Sequence, residues 1–265
     1  MTNKIFYFTG TGNSLAIARQ LAESLGDTEI APMASMPNGY TASDEERIGL
    51  VFPVFGWGMP RMAEQFARGL KAGTNQHVFA ITTCGGTAGN TLIQLRKVLA
   101  SNGTILNAGY IVSGDFLITL DPSNVLPIIK FMTWLGRNHK PCIASERLPE
   151  LARAISERTA NNPETSNASV NVIGSMMYRL AISTFKTGDK SFAASEKCNS
   201  CGVCTKVCPR ENVTLEDGKP TWHHDCEMCN ACIAWCPQKA ITLGGALPTN
   251  PPHHASVSLS EALLR

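Results

Sequence analysis

The sequence predicts an α/β protein in which a doubly wound parallel sheet is followed by a small, separate α+β domain. Two observations lead to this prediction. Apolar runs alternate with helical patterns over about the first 160 residues, which is typical of a parallel sheet covered by helices. Eight of the ten cysteines then fall between Cys198 and Cys236. A chain of 265 residues that is 43% hydrophobic can build one large core and a second small domain.

The alternation of strands and helices is regular in the first part of the chain. Apolar residues recur at helical spacing from Leu15 to Leu25, and Gly26 predicts the end of that helix. The strand segments are almost continuously apolar, as expected of strands buried on both faces. In chain order we predict a strand at 5–8, a helix at 15–25, strands at 28–31 and 48–54, a helix at 62–70, a strand at 77–83, a helix at 90–100, a strand at 105–112, and helices at 124–135 and 147–159.

The chain divides into four predicted parts. Residues 1–160 form the sheet domain, 161–187 a helical connector, 188–245 the cysteine-rich domain and 246–265 a tail. The connector begins at a break containing Pro163 and holds one helix over 172–186, whose methionines we interpret as packing residues. In the tail we expect His253 and His254 to be solvated rather than to bind metal. Ser258 and Glu261 have the spacing of a capping box, which predicts a short helix.

Charge and composition limit the classes of partner. The net charge is +2, which gives no support for binding to nucleic acid or to an anionic membrane surface. We find no pattern of a secretory leader and no apolar stretch of membrane-spanning length. Many cysteines without signs of export indicate metal binding in a reducing compartment rather than disulfides. We therefore expect a cytoplasmic protein.

The cysteines form a repeat with an offset of 28 residues. Each half follows the pattern C-x2-C-x2-C-x3-C-P, which is the run found in bacterial ferredoxins that hold two [4Fe-4S] clusters. Zinc fits this pattern poorly, because structural zinc sites usually take two pairs of ligands separated by 12 or more residues. The first half contains Cys198, Cys201, Cys204 and Cys208, followed by Pro209; the second contains Cys226, Cys229, Cys232 and Cys236, followed by Pro237.

The spacing predicts which cysteines share a cluster. Three cysteines in one tight loop can reach three irons of a cubane, and the fourth begins the next segment, points away and serves the other cluster. We predict that cluster I binds Cys198, Cys201, Cys204 and Cys236, and that cluster II binds Cys226, Cys229, Cys232 and Cys208. Two clusters related in this way would be close enough for electrons to pass between them.

A glycine-rich turn follows the first strand and precedes the first helix. Such a turn offers backbone N–H groups and a helix N-terminus to a phosphate. A P-loop would need a Gly-Lys pair, which is absent, and a dinucleotide turn would need glycine where Leu15 stands. A monophosphate such as that of FMN remains, beside the alternative of a purely structural turn. The loop consists of Thr9, Gly10, Thr11, Gly12, Asn13 and Ser14.

Two further loops follow strands and should meet the first loop at the carboxyl edge of the sheet. Trp57 can stack on a flat ring. If Trp57 instead packs in the core, Phe55 is the ring contact. Cys84 could be a nucleophile, but no base lies beside it and a packing role is the alternative. The second loop contains Pro53, Val54, Phe55, Gly56, Trp57 and Gly58, and the third contains Thr83, Cys84, Gly85 and Gly86.

On these motifs, residues 1 to about 245 resemble the fused flavodoxin–ferredoxin proteins of anaerobes. The resemblance implies a flavodoxin-like domain that binds FMN, a domain with two [4Fe-4S] clusters, and electron transfer with a redox protein as donor or acceptor. Flavodoxins usually place a tyrosine in the third loop, and none lies between Thr83 and Asn90. An open flavin face would suit the alternative, a flavin-dependent reductase of a small organic substrate. Its lid would be 114–132, with Asp115, Phe116 and Asp121 near the pocket.

Overall fold

A computed structural model describes residues 2–114, 142–245 and 252–263. The helix predicted at 124–135 lies outside the described residues, as does the proposed lid at 114–132 except for Gly114. Nowhere in the described ranges does a helix have both the length and the apolarity that crossing a membrane requires.

The first domain is a five-stranded parallel sheet with the strand order β2-β1-β3-β4-β5. This order, with helices on both faces, defines a flavodoxin-like doubly wound fold, as the sequence predicts. Its elements are β1 (Asn3–Tyr7), α1 (Asn13–Leu25), β2 (Thr28–Pro32), β3 (Arg47–Pro53), α2 (Arg61–Gly69), β4 (His77–Cys84), α3 (Thr91–Ser101), β5 (Ala108–Ser113) and α4 (Ala144–Ser156).

Apolar residues cover both faces of the sheet. Along β1 and at the residue after it, Ile5 and Tyr7 belong to the core beneath α1 and α4, whereas Phe6 and Phe8 belong to the core beneath α2 and α3. All eight residues of β4 are buried. The near-continuous apolar runs of the sequence therefore correspond to strands that are shielded on both sides.

Most predicted element boundaries agree with the structure to within a few residues. Helix α1 ends as expected, because Gly26 has φ of 66° and donates its N–H to the carbonyl of Ala22 at 3.0 Å. The strand predicted at 105–112 begins only at Ala108. In the connector, α5 (Ala168–Phe185) starts earlier than predicted, where the side chain of Asn167 accepts from the N–H of Val170.

The second domain is small and α+β, as predicted. Strand β6 (Phe192–Ala194) pairs antiparallel with β9 (Ile241–Leu243), and β7 (Val213–Glu216) pairs antiparallel with β8 (Lys219–Trp222). Short helices α6 (Val203–Val207) and α7 (Ala231–Ala234) lie between them.

The backbone of the second domain reproduces the 28-residue repeat. Helix α7 starts 28 residues after α6, and β9 starts 28 residues after β7. Residues with positive φ also recur at this offset, in the pairs Ser200 and Met228, Gly202 and Asn230, and Glu211 and Lys239. Each half of the repeat therefore has the same fold, including its tight turns.

The C-terminal segment packs on the sheet domain and is not a solvated tail. Helix α8 (Leu259–Ala262) carries the predicted capping box between Ser258 and Glu261. Arg19 of α1 forms an ion pair with Glu261 at 2.7 Å, and Val257 is buried against α1. The expectation of a solvated histidine pair is wrong for His253, whose ring stacks on Trp235 with centroids 4.0 Å apart.

Candidate functional site

The structure gathers the eight repeat cysteines around two cavities. One cavity encloses about 320 Å³ and the other about 300 Å³ of space without protein atoms, partly open to solvent. Each cavity is lined by three cysteines of one half and the last cysteine of the other half. The first has Cys198, Cys201, Cys204 and Cys236, and the second has Cys226, Cys229, Cys232 and Cys208. These are the two sets that the spacing predicts.

The donor geometry fits a cubane cluster. In a cubane each of the four thiolates binds a different iron, so four cysteines spread around one cavity suit such a cluster. The N–H of Asn212 points at Cys208 Sγ and that of Ala240 at Cys236 Sγ, both at 3.3 Å. Such bonds stabilise the negative charge on cluster sulfurs.

Burial favours the protonated form of four of these thiols. It raises the pKa of Cys204 and of Cys226 to about 11, and it also raises the pKa of Cys229 and Cys232. Thiolate is the form that binds metal, so a cationic cluster is needed to stabilise the deprotonated form here.

The two cavities differ in what covers them. Cys201 in the first cavity is exposed. Its counterpart in the repeat, Cys229, lies against Gly10 of the first loop of the sheet domain. A Cβ atom on Gly10 would overlap the carbonyl oxygen of Cys229 and lie 2.9 Å from its carbonyl carbon. Glycine is therefore required at position 10 for this close approach of two backbones.

Charged residues hold the second cavity against α2. Arg61 donates to the carbonyl of Cys226 at 2.7 Å and to Asp225 Oδ1 at 3.0 Å. Glu227 is 3% exposed and accepts from the N–H of Met62 at 3.0 Å, at the N-terminus of α2. Burial raises the pKa of Glu227, opposed by the Met62 N–H and by Arg61. The buried carboxylate therefore depends on α2 for its partners.

An apolar core continues across the same interface. Ala231, Ala234 and Trp235 of the cysteine-rich domain belong to the core that lies between the sheet, α1 and α4. Val257 of the C-terminal segment also belongs to it. The shared core and the ion pairs together hold the two domains in one arrangement.

The first loop presents a donor set that fits a phosphate. Gly12 has φ of 99°, and its N–H donates to Thr9 Oγ1 at 3.0 Å. Helix α1 begins at Asn13, has no acidic residue in its first turn, and is not capped by any described side chain. Ser14 is buried, with its hydroxyl 3.4 Å from that of Thr83. The amides and hydroxyls of this loop suit an anionic group.

In the second loop, α5 packs over Trp57. The Trp57 indole donates to Thr87 Oγ1 at 3.0 Å, and a Cβ on Gly174 of α5 would lie 2.8 Å from Trp57 Cβ. These contacts favour the packing interpretation of Trp57. Phe55 instead meets Phe8, the residue that precedes the first loop, edge to face with centroids 5.9 Å apart.

Helix α5 makes two further contacts that were not predicted, one with the second loop and one with Met59 directly after it. The hydroxyl of Tyr178 donates to the carbonyl of Met59 at 2.7 Å. A Cβ on Gly56 would lie 3.1 Å from the ring of Phe185. The prediction that the methionines of this helix pack is wrong for Met176, which is 58% exposed because it lies on the face of α5 that is turned away from the sheet domain. The loop is instead contacted by Gly174, Tyr178 and Phe185.

The third loop joins the other two. Val54 N–H donates to the carbonyl of Thr83 at 2.8 Å. Cys84 is buried, and burial raises the pKa of its thiol to about 12, so Cys84 packs in the core and does not present a thiolate. Gly85 is exposed, and a Cβ on Gly86 would meet no atom within 4 Å. The end of the third loop is therefore not covered by other described parts of the chain.

Comparison with known proteins supports the assignment of the second domain. Residues 197–241 match the family model described as 4Fe-4S dicluster domain. No curated protein matches the chain.

Several solved structures match part of the chain at low similarity. A putative flavoprotein from Bacteroides eggerthii is 17% identical, covering 42% of this chain and 87% of that one, with a TM-score of 0.34. A flavodoxin from the domain Archaea is 12% identical, covering 60% and 98%, with a TM-score of 0.37. Rubredoxin oxygen:oxidoreductase from the anaerobe Desulfovibrio gigas is 17% identical, covering 60% and 37%, with a TM-score of 0.35.

The fold of the first domain is assigned from its own strand order, and the second domain from its repeat and its family match. The chain thus joins a flavodoxin-like domain to a ferredoxin-like 4Fe-4S domain, which is a fused flavodoxin–ferredoxin architecture.

Proposed function

We propose that this protein is an electron-transfer flavo-iron–sulfur protein, which exchanges electrons between FMN, two [4Fe-4S] clusters and a redox protein. One observation supports this most strongly. The cysteine loop of the second cavity lies directly on the phosphate loop, with the carbonyl of Cys229 against Gly10. Two candidate cofactor sites that touch through their binding loops are arranged for electron exchange.

The residues that would hold each group follow from the site. The FMN phosphate would take the first-turn amides of α1 and the hydroxyls of Thr9, Thr11 and Ser14, and the ring would lie by the second and third loops. The clusters would take the two cysteine sets that line the cavities. When bound, a flavin can accept two electrons and release them singly, while each cluster carries one.

The two cavities differ in exposure to solvent, which supports an order in which electrons pass along the proposed cofactors. The second cavity faces the flavodoxin-like domain through Cys229, and the first opens to solvent at Cys201. A partner protein would therefore meet cluster I. From Lys186, at the end of the connector, to Leu243 the chain has seven basic and seven acidic residues, so we expect association with the partner to depend little on salt.

The alternative, a reductase of a small organic substrate, makes a different prediction for one experiment. The protein is purified without oxygen and reconstituted with iron, sulfide and FMN. We expect about eight irons per chain and flavin absorption, and the reduced protein should reduce cytochrome c as a one-electron protein acceptor.

Finding about four irons would contradict the two-cluster assignment, and absence of flavin bands would contradict the FMN site. The reduced protein is also mixed with quinones and azo dyes alone. Steady turnover of one of these without any protein partner would favour the reductase.

A further inference from the structure

Two carbonyl groups of the phosphate loop are held by groups from outside the flavodoxin-like domain. The indole Nε1 of Trp235 donates to the carbonyl of Gly10 at 2.9 Å, and this bond is buried. The backbone N–H of His254 donates to the carbonyl of Thr11 at 2.8 Å. The cysteine-rich domain and the C-terminal segment therefore each bind one of two successive peptide groups in the loop.

Holding a carbonyl also orients the next amide. In a planar trans peptide the C=O and the following N–H point in opposite directions. When Trp235 holds the Gly10 carbonyl towards the second domain, the N–H of Thr11 is turned away from that domain. His254 does the same for the N–H of Gly12, which donates to Thr9 Oγ1 at 3.0 Å and so orients the first hydroxyl of the loop.

Trp235 is itself rigidly placed. It is 5% exposed, and its ring stacks on His253 with an interplanar angle of 16°. It also lies between Cys232 and Cys236, which line different cavities. Its donor group is therefore fixed by the part of the chain that surrounds both proposed clusters.

The internal repeat shows that the second domain does not need this donor for its own fold. The residue 28 positions before Trp235 is Val207, which is the last residue of α6 and whose side chain cannot donate a hydrogen bond. The half that contains Val207 folds in the same way, with the same turns. The indole N–H is a feature of the half that contacts the phosphate loop.

We propose that Trp235 is a positioning residue for the flavin phosphate, reaching from the iron–sulfur domain to fix the peptide orientation of the phosphate loop. This inference rests on the proposed FMN site. It follows that affinity for the phosphate depends on the docking of the iron–sulfur domain, whereas contacts to the flavin ring do not.

The test compares FMN with riboflavin, which lacks the phosphate. Dissociation constants for both are measured by flavin fluorescence, without oxygen, on the full cluster-loaded chain. The variant Trp235→Phe keeps a ring on His253 and loses the N–H. We expect the dissociation constant of FMN to rise about three- to tenfold, as for loss of one buried hydrogen bond, and that of riboflavin to stay the same.

Thr104→Val is the matched control. It also removes a buried side-chain donor to a backbone carbonyl, that of Leu70 at 3.0 Å, but it lies at the opposite edge of the sheet. It should leave both dissociation constants unchanged. If Trp235→Phe fails to assemble clusters, benzothienylalanine is placed at position 235 instead, because it preserves the indole shape and lacks only the N–H.

The possible results are distinct. An equal loss for FMN and riboflavin would show a general structural role and overturn the inference, as would an unchanged affinity for FMN. If the wild-type chain binds neither flavin, the proposed FMN site itself fails, and the inference fails with it.

Discussion

Substituting Gly10 by alanine tests the contact between the two domains most severely. The new Cβ would overlap the carbonyl oxygen of Cys229 and lie 2.9 Å from its carbonyl carbon and 3.0 Å from its Cβ. Both partners are backbone segments in tight turns, so neither can move aside without shifting its domain. The bond from Trp235 to the Gly10 carbonyl would lengthen in the same movement.

The cost of this substitution can be estimated. Inserting a methyl group into a packed contact costs about 1–3 kcal/mol, and losing the indole hydrogen bond costs about 1 kcal/mol. The sum of about 2–4 kcal/mol corresponds to a fall in melting temperature of roughly 5–15 °C for a chain of this size. The measurement is thermal unfolding of the cluster-loaded protein without oxygen, followed by circular dichroism.

Gly86→Ala provides the control, because a Cβ there meets no atom within 4 Å. We expect this variant to melt within about 2 °C of the wild type, in line with a change at an open surface position. If Gly10→Ala instead melts at the same temperature as Gly86→Ala, the loops of Gly10 and Cys229 are not in close backbone contact.

Three further predictions concern single residues. Cys236→Ala should remove cluster I, and Cys208→Ala should remove cluster II. Electron paramagnetic resonance should therefore detect a different remaining cluster in each variant. If each variant instead loses the cluster bound by the other three cysteines of its own half, the predicted crossover is wrong. Arg61→Gln should destabilise the domain contact by roughly 1.5–3 kcal/mol, because it loses charged hydrogen bonds to the loop of Cys226. The rate of amide hydrogen exchange in that loop should rise, and an unchanged rate would contradict the role of Arg61. Burial lowers the pKa of His77 to about 4, so the free energy of unfolding should fall as pH drops from about 6.5 towards 4, by about 2 kcal/mol at pH 5. Urea unfolding at several pH values measures this fall. An equal fall in the variant His77→Gln would show that His77 is not its cause.

Features with local causes could be predicted from the sequence. The helix stop at Gly26 and the capping box of Ser258 and Glu261 depend on residues a few positions apart, and both are present. The repeat offset also predicts which cysteines gather at each cavity, because the same loop occurs twice and its last cysteine leads out of it. The structure places both sets as expected.

The contacts between the domains could not be predicted in this way. Gly10 and Trp235 are 225 positions apart, and a glycine in a phosphate loop is already explained by the phosphate. The glycine in the loop sequence therefore does not by itself indicate that Gly10 also contacts Cys229. The packing of Trp57 could not be predicted for the same reason. Its position in the second loop suggests stacking on a flavin, but Gly174, against which Trp57 packs, lies on a helix more than a hundred residues further along the chain.

Under the proposed function, electrons pass between the iron–sulfur domain and a flavin in the first domain. The most direct test mixes the loaded, oxidised protein with a reduced two-cluster ferredoxin in a stopped-flow instrument without oxygen. We predict that cluster absorbance changes first and flavin absorbance follows, and that the flavin step is lost in Cys226→Ala. Flavin reduction that is equally fast in Cys226→Ala would contradict the account.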